Sequence, residues 1–188
     1  FPMEASESHP CFGEAFPNLL STKGVKILTG GPGTGKTTTL KGLLTAYLTM
    51  YPETKVCLVA PTGRAAQRMS ESTERPAVTI HRACNIRPYG IDEISHKDAS
   101  NPLDADLIVC DEVSMCSVEI ARILLGAVKT GASVWLIGDV HQLESVGAGA
   151  VLHDCLKASG DLIARTMLTE VFRQKGGSPI IENANRIN

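Results

Sequence analysis

The sequence predicts an α/β fold, a parallel β-sheet covered by helices on both faces. Three observations carry that expectation. Short apolar runs alternate with segments of helical periodicity along most of the 188 residues. Two of the runs, Asp106-Leu107-Ile108-Val109-Cys110 and Ser133-Val134-Trp135-Leu136-Ile137, are nearly unbroken, as in strands buried on both faces. Between a further strand and a helix lies Gly30-Gly31-Pro32-Gly33-Thr34-Gly35-Lys36-Thr37, which fits G-x-x-x-x-G-K-[ST] in the context that loop requires.

Taken in order, residues 1–23 carry Pro2, Pro10, Pro17 and Gly13 without a clear period. They read as an irregular lead-in, with at most a short helix near Phe16 to Leu20. Residues 24–188 form the domain. Val25–Thr29 is its first strand, and Leu40–Met50 a helix with Leu40, Leu43, Leu44, Tyr47 and Leu48 at helical spacing. Lys55–Ala60 is the second strand, ended by Pro61-Thr62-Gly63, and a helix runs from Arg64 to Ser70. A turn near Pro76 leads to a short helix over Thr79–Cys84, with Thr79 as its N-cap. Residues 86–105, with Pro88, Gly90, Pro102 and many acids, read as a long loop. After the strand at Asp106–Cys110 come a helix (Val118–Val128), the strand Ser133–Ile137, a helix (Ala148–Ala158), a strand (Ile163–Leu168) and a terminal helix (Ser178–Ile187). Right-handed crossovers would place ligands at the carboxyl ends of the strands, where every motif falls.

Composition narrows the classes. A hydrophobic content of 43% supports a packed core, and no apolar stretch approaches the roughly 18 residues of a membrane span. The N-terminus lacks a basic and apolar leader and does not begin with Met, so the chain reads as a trimmed or excised piece. Six scattered cysteines without a C-x-x-C pair disfavour zinc and favour a reducing cytoplasm, with Cys57 and Cys110 as small buried hydrophobes. A net charge of −2 gives no global nucleic-acid footprint. Locally, residues 55–90 hold six Lys/Arg against Glu71 and Glu74, whereas residues 91–112 hold seven acids against Lys97. The basic segment could face phosphates or be a solvated surface.

The glycine loop carries the chemistry. Backbone N–H groups can curl around a phosphate where no Cβ intrudes, and the helix N-terminus adds partial positive charge. Residues Gly31, Pro32, Gly33, Thr34, Gly35, Lys36, Thr37 and Thr38 would cradle a nucleoside triphosphate, Lys36 reaching the β/γ-phosphates and Thr37 holding Mg²⁺. Asp111-Glu112 follows an apolar strand, as a Walker B pair should: Asp111 would hold Mg²⁺ and Glu112 polarise the attacking water. In Gly138-Asp139-Val140-His141-Gln142, the Gln142 amide suits sensing of a γ-phosphate, although Gly-Asp-x-x-Gln by itself is also an ordinary turn.

With these residues in place, the sequence resembles the superfamily 1 DNA helicases, most closely the RecD-like branch (exonuclease V alpha subunit and relatives). Gly30–Thr39 looks like motif I, Ala60–Ala66 like motif Ia, Asp111–Met115 like motif II, Gly138–Gly149 like motif III and Leu168–Gln174 like motif IV. Thr79–Arg82 is similar to the segment after motif Ia. The resemblance implies a RecA-like P-loop ATPase domain, with ATP and Mg²⁺ as cofactors and 5′ to 3′ travel on single-stranded DNA in recombination or repair. It implies that Arg173, on its own a surface arginine, places a guanidinium against the γ-phosphate, and that Gln142 links the γ-phosphate to DNA. Thr62, Arg64, His81, Arg82, Ser145 and Val146 would line the single-strand track, though a capped helix explains His81 and Arg82 as well. Implied partners are single-stranded DNA, a second RecA-like domain of the same parent chain and the other subunits of an exonuclease V-like complex; no membrane is involved. Two departures stand out. No Gln precedes Gln67, so the family's adenine-recognition glutamine is missing, and the chain stops after motif IV. A nucleotide-gated binding module that does not unwind DNA is the alternative. A small-molecule kinase is disfavoured by Glu112 and Gln142.

Overall fold

A computed structural model describes residues 20, 24–86, 96–142, 147–158 and 163–168. Its strands are β1 (Val25–Gly30), β2 (Val56–Ala60), β3 (Ala77–Thr79), β4 (Leu107–Cys110), β5 (Ser133–Gly138) and β6 (Ala164–Leu168). The helices are α1 (Lys36–Met50), α2 (Gly63–Thr73), α3 (Ile80–Ala83), α4 (Val118–Gly126) and α5 (Val151–Ala158), with a 3-10 turn at Val113–Met115. All strand pairings are parallel, in the order β3-β2-β4-β5-β1-β6.

Both faces are covered. Ile27, Ile108, Val134 and Leu136 pack on one side with Ile80, Leu124, Val151 and Leu152 from α3, α4 and α5. Leu28, Val109, Trp135 and Ile137 pack on the other with Leu40, Leu43, Leu44 and Met69 from α1 and α2. Alternate residues of β4 and β5 therefore each meet a core, which is why those strands are apolar without interruption. Trp135 lies on the α1 side, 2% exposed, with Tyr47 edge-on at 5.4 Å between ring centroids and Lys26 Nζ 5.9 Å from its ring. Burial pushes the Lys26 amine below its ordinary pKa.

The structure corrects several sequence expectations. The turn near Pro76 is as expected, at Glu74 and Arg75, but it leads first into an unforeseen strand, Ala77–Thr79, paired with Leu58–Ala60. Three residues at a sheet edge are too few to show alternation. Helix α1 begins at Lys36 rather than Leu40, because Thr37, Thr38 and Thr39 extend the helix without extending its apolar stripe. Helix α5 begins at Val151 rather than Ala148, whose carbonyl instead accepts from Val118 N at 3.0 Å. Helix α2 runs on to Thr73, past Ser70, while α4 ends at Gly126, short of Val128. The Thr79 cap is as expected, its side chain accepting from Arg82 N at 3.2 Å. The expected lead-in, save Leu20, and the terminal helix at Ser178–Ile187 lie outside the described residues.

Gly30 closes β1 where β6 runs alongside. A Cβ there would lie 2.6 Å from Thr34 Oγ1 and 2.8 Å from the Leu168 carbonyl oxygen. Gly30→Ala should therefore lower the unfolding free energy by about 1–3 kcal/mol, measurable by urea titration. An unchanged midpoint would show that the loop relaxes without cost.

Candidate functional site

Three strand ends, those of β1, β4 and β5, build the candidate site, with β5 between the other two. From β1 the chain enters the glycine loop, which ends at Gly35 with φ 82° and ψ 19°. That left-handed conformation suits glycine, and it leaves α1 with neither a side-chain cap nor an acidic residue in its first turn. The first-turn N–H groups and the helix dipole thus present positive potential to the loop. Thr34 is buried and its Oγ1 donates to Gly31 O at 2.9 Å, tightening the loop from within. Lys36 Nζ folds across it, donating to Gly30 O at 2.6 Å and Gly31 O at 2.9 Å. Gly31, Gly33 and Gly35 are half-buried, and Pro32, Thr37 and Thr38 are exposed.

At the end of β4, Asp111 N donates to Val59 O at 3.0 Å, and Asp111 Oδ1 accepts from Glu112 N at 2.8 Å. Burial raises the Asp111 carboxyl to about 6, and the Glu112 charge adds to the rise; the Glu112 N–H bond and the Lys36 ammonium pull the other way. Glu112 sits at φ 54° and ψ 39°, a conformation that costs a non-glycine residue of order 1–3 kcal/mol. Its Oε2 is buried without a hydrogen-bond partner. Backbone strain and a buried, unbonded oxygen thus meet on the Glu112 residue, beside the buried Asp111.

At the end of β5, Asp139 is fully buried. Its Oδ1 accepts from His141 N at 2.9 Å, while Oδ2 has no hydrogen-bond donor and lies 3.6 Å from Lys36 Nζ. Gln142 is exposed, and its Oε1 accepts from Ser114 Oγ at 3.3 Å. Ser114 belongs to the 3-10 turn that follows Glu112, so one hydrogen bond ties the β5 loop to the β4 loop.

The domain model described as "AAA domain" matches residues 14–148. The chain is 41% identical over 159 residues to the ATP-dependent RecD2 DNA helicase of Deinococcus radiodurans, covering 85% of this chain and 21% of that one. It is 41% identical over 154 residues to the RecBCD enzyme subunit RecD of Mycobacterium tuberculosis, covering 71% of this chain and 26% of that one. The chain belongs to this family, on its RecD-like helicase branch. Among solved structures, one of two coordinating Pif1 helicases at forked dsDNA superposes with a TM-score of 0.62 at 22% identity, over 93% of this chain and 46% of that one. At that identity the likeness speaks for the RecA-like fold alone. The chain spans about a quarter of the length of the two RecD-like relatives.

In this RecD-like domain the remaining candidates fall elsewhere on the same edge. Thr62 follows β2, and its hydroxyl accepts from Ala65 N at 3.2 Å as the N-cap of α2, with Arg64 exposed beside it. His81 and Arg82 are exposed on α3, directly after β3. Since β2 and β3 are neighbours, the four residues share the carboxyl edge on the side of β4 away from the glycine loop. Lys55 does not join them. It lies at the opposite end of β2, bound to Asp104 at 2.7 Å. Arg173, Ser145 and Val146 lie outside the described residues. Sequence reasoning did not single out Asp139 as a site residue; the available signal was a Gly-Asp pair directly after an unbroken apolar strand.

Proposed function

We propose that residues 24–188 form the first motor domain of a RecD-like helicase that hydrolyses ATP to move along single-stranded DNA. One observation carries the reading: β1, β4 and β5 bring Lys36, Asp111, Glu112 and Gln142 to one edge of the sheet, where the uncapped α1 begins. The residues fit a magnesium nucleotide. The loop offers unblocked helix N–H groups and one lysine, as a polyphosphate needs. Among the described residues no cluster of three acidic, His or Cys side chains could cage a metal by itself. That matches Mg²⁺, which takes one or two protein oxygens and completes its shell from phosphates and water.

When bound, Mg²⁺-ATP would supply the phosphoanhydride bond and the charge that the metal offsets. Gly31, Pro32, Gly33, Thr34, Gly35 and Thr38 would enclose the phosphates, with Lys36 as their counter-charge. Thr37 and Asp111 would hold the metal. Glu112, with Oε2 buried and without a donor, would orient and deprotonate water. Gln142 would carry the state of the γ-phosphate to the Ser114 turn, and Arg173 would add a guanidinium. Thr62, Arg64, His81 and Arg82, with Ser145 and Val146, would grip DNA phosphates, with the second RecA-like domain closing the cleft. Its scattered cysteines, unpaired among the described residues, favour a reducing cytoplasm, where it would act alone or with subunits of an exonuclease V-like complex.

The test is Mg²⁺-ATP turnover with and without oligo-dT, on this chain and on a version joined to a second RecA-like domain, with Lys36→Ala as blank. Strong DNA stimulation in the longer version, lost in the blank, supports the motor. ATP binding with no DNA response in either form supports a nucleotide-gated module instead. Arg64→Ala and Arg82→Ala should each reduce the slope of log affinity against log salt for single-stranded DNA by about 0.7, leaving ADP affinity unchanged.

A further inference from the structure

Asp139 stands out because its turn does not need its charge. Oδ1 accepts the His141 N–H, a bond that an asparagine amide oxygen would make equally well. The second oxygen is buried, has no donor, and faces the Lys36 ammonium at 3.6 Å. A carboxylate kept in the interior without full hydrogen bonding is costly, so the charge needs a reason. Two of the three N–H directions of Lys36 go to Gly30 O and Gly31 O, and Asp139 faces the same ammonium. Asp111 and Glu112 follow the neighbouring strand, and Lys36 is the cation that Asp111 and Asp139 both face among the described residues.

We propose that Asp139 is a positioning residue that competes with nucleotide phosphate for Lys36, weakening nucleotide binding while tying the β5 loop to the occupant of the glycine loop. The inference rests on the ATP-binding reading above. A phosphate that recruits Lys36 must draw it from Asp139, and it meets a second negative charge as it does so. Both effects oppose binding. In exchange, the loop that carries Gln142 feels the transfer, because Asp139 begins that loop and is fixed to it through His141 N.

The experiment is calorimetric titration of ADP with Mg²⁺ into the whole chain and into Asp139→Asn, alongside kcat and KM for ATP. The amide keeps the turn and removes the charge, so ADP should bind about tenfold tighter while kcat falls by a similar factor. A role confined to the fold would weaken both together and lower the melting temperature. Equal or weaker ADP affinity in a folded Asp139→Asn chain overturns the proposal. Absence of ADP binding by the unaltered chain would instead overturn the ATP-binding reading, so the two failures are distinct. Should Asp139→Asn not fold, Asp139→Ser keeps an acceptor for His141 N without the charge, and equal or weaker ADP affinity in it likewise overturns the proposal.

Discussion

Glu112→Gln is expected to leave nucleotide bound and stop its hydrolysis. General-base catalysis contributes about 10²–10⁴-fold, so kcat should fall within that range while ADP affinity stays within about twofold. The geometry argues for so sharp a split. Glu112 occupies a left-handed backbone position with one oxygen buried and unbonded, and neither feature serves the core, since its neighbours Val113 and Ser114 do the packing. Glutamine retains the shape and side-chain length and loses only the basic oxygen. A kcat within about threefold of the unaltered chain would remove Glu112 from the chemistry and leave the strain unexplained.

Asp111→Asn carries the second large effect, in two directions. Turnover should drop by at least about a hundredfold, because a neutral amide is a poor magnesium ligand. Stability at neutral pH should rise. The folded-state pKa of about 6 lies above the ordinary 3.8, so folding favours the protonated form. That contribution is complete below the unfolded value and is lost as pH rises through 6, so above pH 6 the ionised carboxylate weighs against the fold. Allowing for partial exposure, the amide should gain about 1–2 kcal/mol at pH 7.5 and nothing near pH 4. Urea denaturation at the two values checks it. A variant less stable than the parent at pH 7.5 would show that burial does not weigh against the ionised Asp111 carboxylate.

Much of this was legible because the chemistry demands fixed spacing. The phosphate loop, the acidic pair after an apolar strand and the Gly-Asp-x-x-Gln run are local patterns, and the sheet edge brings them together as the strand logic requires. What escaped notice depends on contacts distant in sequence. The three residues of β3 become a strand only because β2 offers them an edge. The start of α1 hides behind threonines that are poor helix signals. Asp139 reads as a solvated turn acid, whereas in the fold it is buried and faces Lys36, a residue distant in sequence. Lys26, 1% exposed inside β1, is likewise invisible to a reading that sets lysines on the surface.

Trp135 has a practical consequence. It is the chain's sole tryptophan, held in a nearly dry environment against Tyr47 on the strand that leads to Asp139. Its emission should be blue-shifted in the native protein and move to longer wavelength on denaturation, so intrinsic fluorescence follows every stability comparison above without a dye. Three residues separate Trp135 from Asp139, which directly follows the end of β5. A change in quantum yield on adding ADP, absent in Lys36→Ala, would make the same optical signal a stopped-flow clock for nucleotide arrival.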